Sequence, residues 1–230
     1  MTIDRALIQA LGPCAVSTAA LGMGDRSVSL YCRHSMKKGE ATRKRIVARA
    51  ANLLNMQGYL GTPVSEIMRV AGLQKGGIYR HFESRAALTR EAFEYAVARM
   101  RDRFVDALEG RKTATDKLFA LFEVVQNASQ EESYRGGCPI MNLAVESDDV
   151  DPELRELARD AMTRFVGLFE RVIAEGTKNG EFSPGDPRMR AIRIVASLEG
   201  ALMLSNLYKD RTYMDAAMDD LIGSIRKGFR

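Results

Sequence analysis

From Glu40 onward the apolar residues recur at intervals of three and four, and no segment sustains an alternation of apolar with polar residues. That spacing follows the 3.6-residue turn of an α-helix, so the chain is committed to helices and a half-buried sheet is excluded. Ile46, Ala50, Leu53 and Leu54 form the first apolar stripe, with Arg43, Lys44, Arg45 and Arg49 around it, and Gly58 ends that helix. Thr62-Pro63 reads as a cap followed by the first helical residue. Val64, Ile67, Met68 and Ala71 then share one face of a short second helix that Gly72 stops. Leu73 to Phe82 reads as a third short helix whose Ile78 and Phe82 face the same core, and Ser84 caps a fourth.

Phe93, Val97, Met100, Phe104 and Leu108 stripe the fourth helix, and Leu118, Leu121, Phe122 and Val125 the fifth. After Gly136-Gly137 a short helix runs from about Pro139 to Glu146. Two later helices open with Asp151-Pro152 and Asp186-Pro187, an acidic cap followed by a proline whose missing N–H is not needed there. The last helix lies near Met214 to Phe229. The fold class expected is all-α, with about nine helices. The longest apolar run, Ile194 to Leu207, has 14 residues and contains Glu199, whereas a membrane span needs roughly 20, so no transmembrane helix is expected.

Charge divides the chain. Residues 37–85 hold ten Lys/Arg against Glu40, Glu66 and Glu83, a net +7, while residues 86–230 carry 21 basic and 25 acidic residues, a net −4. A basic head on a mildly acidic body suits a polyanion-binding unit joined to a sensing or assembly unit. Residues 1–36 differ from the rest in being rich in Gly, Ser and Ala. They read as a disordered or artefactual extension, with a targeting segment or a contact arm as alternatives. Cys14, Cys32 and Cys138 are odd in number and widely spaced, which favours a reduced, cytoplasmic setting over a disulfide framework.

The stretch from Thr62 to Phe82 has the dimensions of a helix-turn-helix, two short helices around a tight turn, the second slim enough to enter a major groove about 12 Å wide. Gly72 permits the turn, and Gly76 and Gly77 leave the recognition helix bare at its N-terminal end, where backbone N–H groups favour phosphate. Enzyme signatures are mostly absent: His34 and His81 form no metal or triad arrangement, and Gly72 to Gly77 has phosphate-loop spacing followed by Ile78-Tyr79 where Lys and Ser/Thr are required. No cofactor, metal site or catalysis is expected.

Residues 41–90 resemble the N-terminal domain of the TetR family of bacterial transcription regulators. The resemblance lies in the basic first helix, Gly58-Tyr59, Thr62 with Ile67, Ala71-Gly72, Lys75-Gly76, Tyr79 with Phe82, and Ser84-Arg85. In the body, GCPIMNLAVESDD from Gly137 and ASLEGAL from Ala196 look similar to one branch of that family. The resemblance implies a DNA-binding head over 37–85 and a ligand-binding and dimerisation body over 86–230. It also implies a homodimer that enters successive major grooves of an operator, most naturally a repressor released by a small, largely apolar effector. Lys75, Tyr79, Arg80, His81 and Arg85 would then touch phosphate or base edges, beside Gln74, Gly76 and Gly77, while Thr62 and Ser65 would hold backbone at the start of the second helix. The family usually has Ser where Gln74 stands and often Thr where Gly77 stands, so base specificity does not transfer. The competing reading is a helical small-molecule-binding or catalytic protein whose head no longer binds DNA.

In the body, Phe104, Phe119, Phe122, Cys138, Met141, Asn142, Phe165 and Phe169 are candidates for the lining of an apolar cavity, each weighed against plain core packing. Glu146 lies one turn from Asn142 and joins it as a candidate polar pocket group. Cys138, ahead of a helix N-terminus, reads either as a thiol activated for electrophile or oxidant sensing or as a small buried filler. Glu199 must meet an arginine, face the pocket or lie at a dimer seam, because an unpaired buried carboxylate is costly. The last two helices, with Gly200, Ala201 and Ser205 small enough for close approach, are the candidate dimer interface.

Overall fold

A computed structural model describes residues 38–128 and 136–229. The readings placed on residues 1–36, including Cys14 and Cys32, fall outside the described residues. Among those described, the chain forms nine helices and no strand: α1 Lys38–Gln57, α2 Val64–Ala71, α3 Lys75–Tyr79, α4 Arg85–Leu108, α5 Ala114–Ala128, α6 Pro139–Ser147, α7 Pro152–Lys178, α8 Pro187–Tyr208 and α9 Thr212–Arg226. No described helix is long and apolar enough to cross a membrane.

Most helix starts follow the sequence signals. Ser84 Oγ accepts from the Ala87 amide, and the Asp151 and Asp186 carboxylates each accept two amides of the turn they precede. Thr62 departs from expectation. The cap position belongs to Pro63, and the Thr62 hydroxyl, buried, donates 2.6 Å to the Gly58 carbonyl, closing the loop between α1 and α2 instead of capping α2. The third helix is also shorter than the Leu73–Phe82 reading. Leu73 donates to the Met68 carbonyl as part of the α2 stop, and Gln74 is extended at ψ 163°, so helical geometry begins only at Lys75. Gly72 sits in the left-handed region at φ 67°, which is what makes this stop a sharp turn.

The head is built where α1 packs on α4 and α2, and α2 on α3. Ile46, Ala50 and Leu54 meet Ile67 and Ala71 of α2, Ile78 and Phe82 from α3 and the turn after it, and Leu88 and Phe93 of α4, all buried. Tyr59 packs edge-on against Phe93, ring centroids 5.9 Å apart. Arg43 lies over the Phe82 ring at 4.5 Å, pairs with Glu91 and donates to the His81 carbonyl, so this α1 cation belongs to the head's own framework. In the body α7 is the central strut, touching α5, α6 and α8, with α9 closing against α8 and α5. Glu181, just beyond α7, accepts the amides of Ala114 and Thr115 at 2.9 and 3.0 Å and so caps α5 from outside its own segment.

The loop into α6 passes very close to α1. Gly136 has φ 103°, and a Cβ there would lie 2.2 Å from the Asn55 carbonyl oxygen. Gly110 also has positive φ, 73°, but faces open space. Replacing Gly110 by alanine therefore imposes backbone strain alone, about 1 kcal/mol, whereas Gly136→Ala adds a clash with backbone and is expected to cost about 3 kcal/mol or more. Urea unfolding of the two variants measures the difference.

Candidate nucleic-acid interface and effector cavity

α3 is fastened to the head by its apolar side. Ile78 and, in the turn that follows, Phe82 are inserted into the core, while Gln74, Gly76, Tyr79 and Arg80 are exposed and Gly77 and His81 half-buried. Lys75 opens the helix. Ser65, in the first turn of α2, is exposed on the same unit. A Cβ on Gly76 would meet nothing, and one on Gly77 would make ordinary contact with Leu73, so packing within the chain does not demand glycine at either position. The outward surface at the start of α3 is bare backbone flanked by a phenol and a guanidinium.

Arg85 is placed otherwise than as a solvent-facing cation. Its Nη2 donates to the carbonyls of Tyr59, Leu60 and Thr62, at 3.2 Å for Tyr59 and 2.8 Å for Thr62. From the opposite direction, the Glu146 carboxylate of α6 accepts the amides of Tyr59 and Leu60 at 3.0 and 2.9 Å. One dipeptide after α1 is thus held by its carbonyls from the start of α4 and by its amides from the end of α6. Asn142 belongs to the same joint. Its Nδ2 donates to the Asn55 carbonyl, to Asn55 Oδ1 and to the Gly136 carbonyl, and Asn55 Nδ2 donates back to the Gly137 carbonyl at 3.0 Å. Asn142 and Glu146, read as candidate pocket groups, bond to α1 and the turn after it and do not line the cavity described next. On α6 they lie on the side that meets α1, and the unpaired amides of the Tyr59–Leu60 turn attract the carboxylate.

The aromatic candidates separate into core and cavity. Phe122 and Phe169 are wholly buried, their rings stacked 6.3 Å apart, and Phe119 and Met141 pack partly buried against the core. Phe104, Cys138 and Phe165 line a small cavity of about 20 Å³, together with Met100, Val124, Val125, Leu202 and Glu199. Of the three sites open to Glu199 from the sequence, the structure places it at this cavity. Its Oε2 is buried without a hydrogen-bond partner. Burial pushes the Glu199 carboxyl up, although a hydrogen bond with Cys138 pulls the other way. Burial, reinforced by Glu199, pushes the Cys138 thiol well above its ordinary value. The amides of Ile140 and Met141 at the α6 N-terminus oppose this without reversing it. Of the two readings of Cys138, burial of the thiol favours the small buried filler, since the loss of hydration raises its pKa more than the α6 N-terminus lowers it.

On α8 the residues Met189, Ile192, Ala196, Met203 and Leu207 are exposed, with half-buried Gly200 in register between them. The intervals of three and four put all six on one side of the helix, an apolar stripe on a surface. Sequence reasoning noticed the small residues here but missed the stripe, because α8 is apolar on its inner face as well.

Comparison with known proteins adds family evidence to this geometry. The family profile described as bacterial regulatory proteins, tetR family, matches residues 46–92, and that described as tetracyclin repressor-like, C-terminal domain, matches residues 114–221. The fold is similar to the crystal structure of a TetR transcriptional regulator from Chloroflexus aurantiacus, 41% identical, with a TM-score of 0.79 over 83% of this chain and 96% of that one. Among curated proteins, an uncharacterized HTH-type transcriptional regulator of Mycobacterium tuberculosis is 29% identical over 76% of this chain and 90% of its own length. The HTH-type transcriptional repressor DhaR of Mycobacterium sp. strain GP1 is 25% identical over 75% of this chain and 86% of its own.

Two outcomes follow from the joint and the cavity. Glu146→Ala leaves two amides without their charged acceptor and is expected to lower the unfolding free energy by about 2–4 kcal/mol, while exposed Val145→Ala stays within about 0.5 kcal/mol, both read by urea titration. At Glu199, between the ordinary carboxylate pKa and the raised folded value, only the folded chain holds the proton, so stability falls as pH rises through that window. Glu199→Gln should remove this decline: the urea midpoints of variant and wild type coincide near pH ~4 and separate toward neutrality, the variant being the more stable.

Proposed function

The chain belongs to the TetR family of bacterial transcriptional regulators, and from that premise we propose that it is a homodimeric repressor that occupies an operator through α3 and leaves it when a small, largely apolar molecule enters the body. The observation that carries the reading is the division of α3, whose Ile78 is locked into the head while Gln74, Gly76, Tyr79 and Arg80 face outward. A recognition helix needs this combination, because base and phosphate contacts require a rigid support and a slim, polar outer surface.

The division of labour places the DNA-binding head at residues 37–85 and the ligand-binding and dimerisation body at 86–230. At the head, Gln74, Lys75, Tyr79, Arg80 and His81 make the groove and phosphate contacts, with Gly76 and Gly77 admitting the backbone to close range and Ser65 at the edge. Thr62 and Arg85 serve these contacts indirectly by holding the loop that carries α2. The net +7 of residues 37–85 supplies the long-range attraction to DNA. The apolar stripe of α8 supports a dimer through α8 and α9, since a matching copy would cover Met203 and Leu207 by two-fold symmetry. The repressor sense is supported by similarity to DhaR, which is named a repressor. The work is done on operator DNA in the bacterial cytoplasm, by binding and release with no bond made or broken in a substrate.

Titration of the full chain against labelled DNA from upstream of its own gene, beside a shuffled control, tests this. Specific binding should weaken steeply with salt, Lys75→Ala and Arg80→Ala should each reduce the salt slope by about one, and Tyr79→Ala should weaken binding about tenfold or more, with unchanged thermal midpoints. Binding to no DNA at low salt would overturn the proposal.

A further inference from the structure

Among the described residues, one carboxylate oxygen of the body, Glu199 Oε2, is buried without a hydrogen-bond partner. The cavity it faces is otherwise lined by Met100, Phe104, Val124, Phe165 and Leu202, all apolar, with Cys138 engaged to the carboxyl itself. Buried acceptors are almost always satisfied, by protein or by a bound water, and an exception calls for an explanation. At about 20 Å³ the cavity has room for one water and no more. Any ligand larger than a water molecule must separate the side chains that line it.

We propose that the effector is a cationic amphipathic molecule, an aromatic or aliphatic body ending in a protonated amine, whose ammonium group pairs with Glu199 Oε2 while its apolar part separates Phe104, Phe165 and Met100. This deepens the proposed function and rests on the reading of the chain as a ligand-released regulator. The cavity lining supplies no counter-charge, so a cation brings what the carboxylate lacks. A neutral hydroxyl satisfies Oε2 as a hydrogen-bond donor without compensating its charge, and an anionic group adds a second negative charge beside it. Phe104 and Phe165, ring centroids 5.4 Å apart, line the same cavity, and aromatic rings attract both a cation and an aromatic body.

Opening the cavity also has a path to the head. Cys138 forms part of its wall and is the residue from which α6 starts, and α6 carries Asn142 and Glu146, which hold α1 and the Tyr59–Leu60 turn. A ligand that displaces Cys138 therefore displaces the helix that fixes the head's orientation.

The experiment is calorimetric titration of the full-length protein with three probes of one skeleton, phenylbutylamine, phenylbutanol and phenylbutyrate, on wild type, Glu199→Gln and Glu199→Leu. Wild type should bind the amine about tenfold or more tightly than the alcohol and should not measurably bind the acid. Both variants should lose the preference while retaining the alcohol. Glu199→Leu removes an unpaired buried carboxyl and should melt no lower than wild type, so the loss is not one of folding. Equal binding of all three probes, preference for the acid, no binding of the amine to wild type, or an amine preference that survives in the variants overturns the inference. Operator binding is measured in parallel without probes. Amine binding by a chain that ignores DNA would sink the regulatory reading and keep the Glu199 site, and DNA binding by a chain that ignores the amine would do the reverse.

Discussion

The Tyr59–Leu60 dipeptide is the point through which the molecule is held together. A chain leaving a helix has peptide groups that the helix no longer satisfies, and inside a protein each must find a partner. Here the carbonyls take the Arg85 guanidinium and the amides take the Glu146 carboxylate. The two charges stand on different helices and on opposite sides of the same strip of backbone, so the end of α1, the start of α4 and the end of α6 cannot shift independently. Asn142 and Asn55 repeat the connection one turn away, where Gly136 lets the backbones approach. The orientation of α3 relative to the body is set by this joint, since α3 contacts the rest of the chain through α2 and the head core.

The part-buried carboxylates of the body differ in what they hold. Glu181 does for α5 what Glu146 does for the Tyr59–Leu60 turn, accepting two amides from another segment, while Lys117 and Glu175 pair at 2.6 Å beside it. Those carboxylates complete the fold. Glu199 engages Cys138 but leaves Oε2 unpaired, and the cavity before it is nearly shut. A regulator needs a place where its packing is less than optimal, because a ligand can move an equilibrium only by interacting differently with two states. On the proposed reading the unpaired Glu199 oxygen beside Cys138, the residue that precedes α6, is such a place, one short helix away from the joint with α1.

Local order was legible in the sequence wherever it depends on neighbours along the chain. The stripes of α1, α2 and α4, the Asp-Pro starts of α7 and α8 and the Gly72 turn follow from periodicity and capping alone. Thr62 was misjudged because a hydroxyl before a proline can serve either the helix ahead or the loop behind, and only burial decides. Asn142 and Glu146 looked like pocket groups because they share a helical face with Cys138. The amides that claim Glu146 lie 87 residues earlier in the chain, and no local rule connects them. At Cys138 the sequence left two readings open because the helix N-terminus is visible locally while the burial of the thiol, which depends on the whole body, is not.

The most direct test of the central claim is a hydroxyl-radical footprint of the full-length protein on DNA from upstream of its own gene. A dimer presenting two α3 helices on one side of the duplex should protect two short patches on that side, with centres one helical turn, about 34–36 Å, apart or a multiple of it. Absence of any protected patch at low salt would contradict it, as would a footprint unaltered by replacing both Lys75 and Tyr79 with alanine.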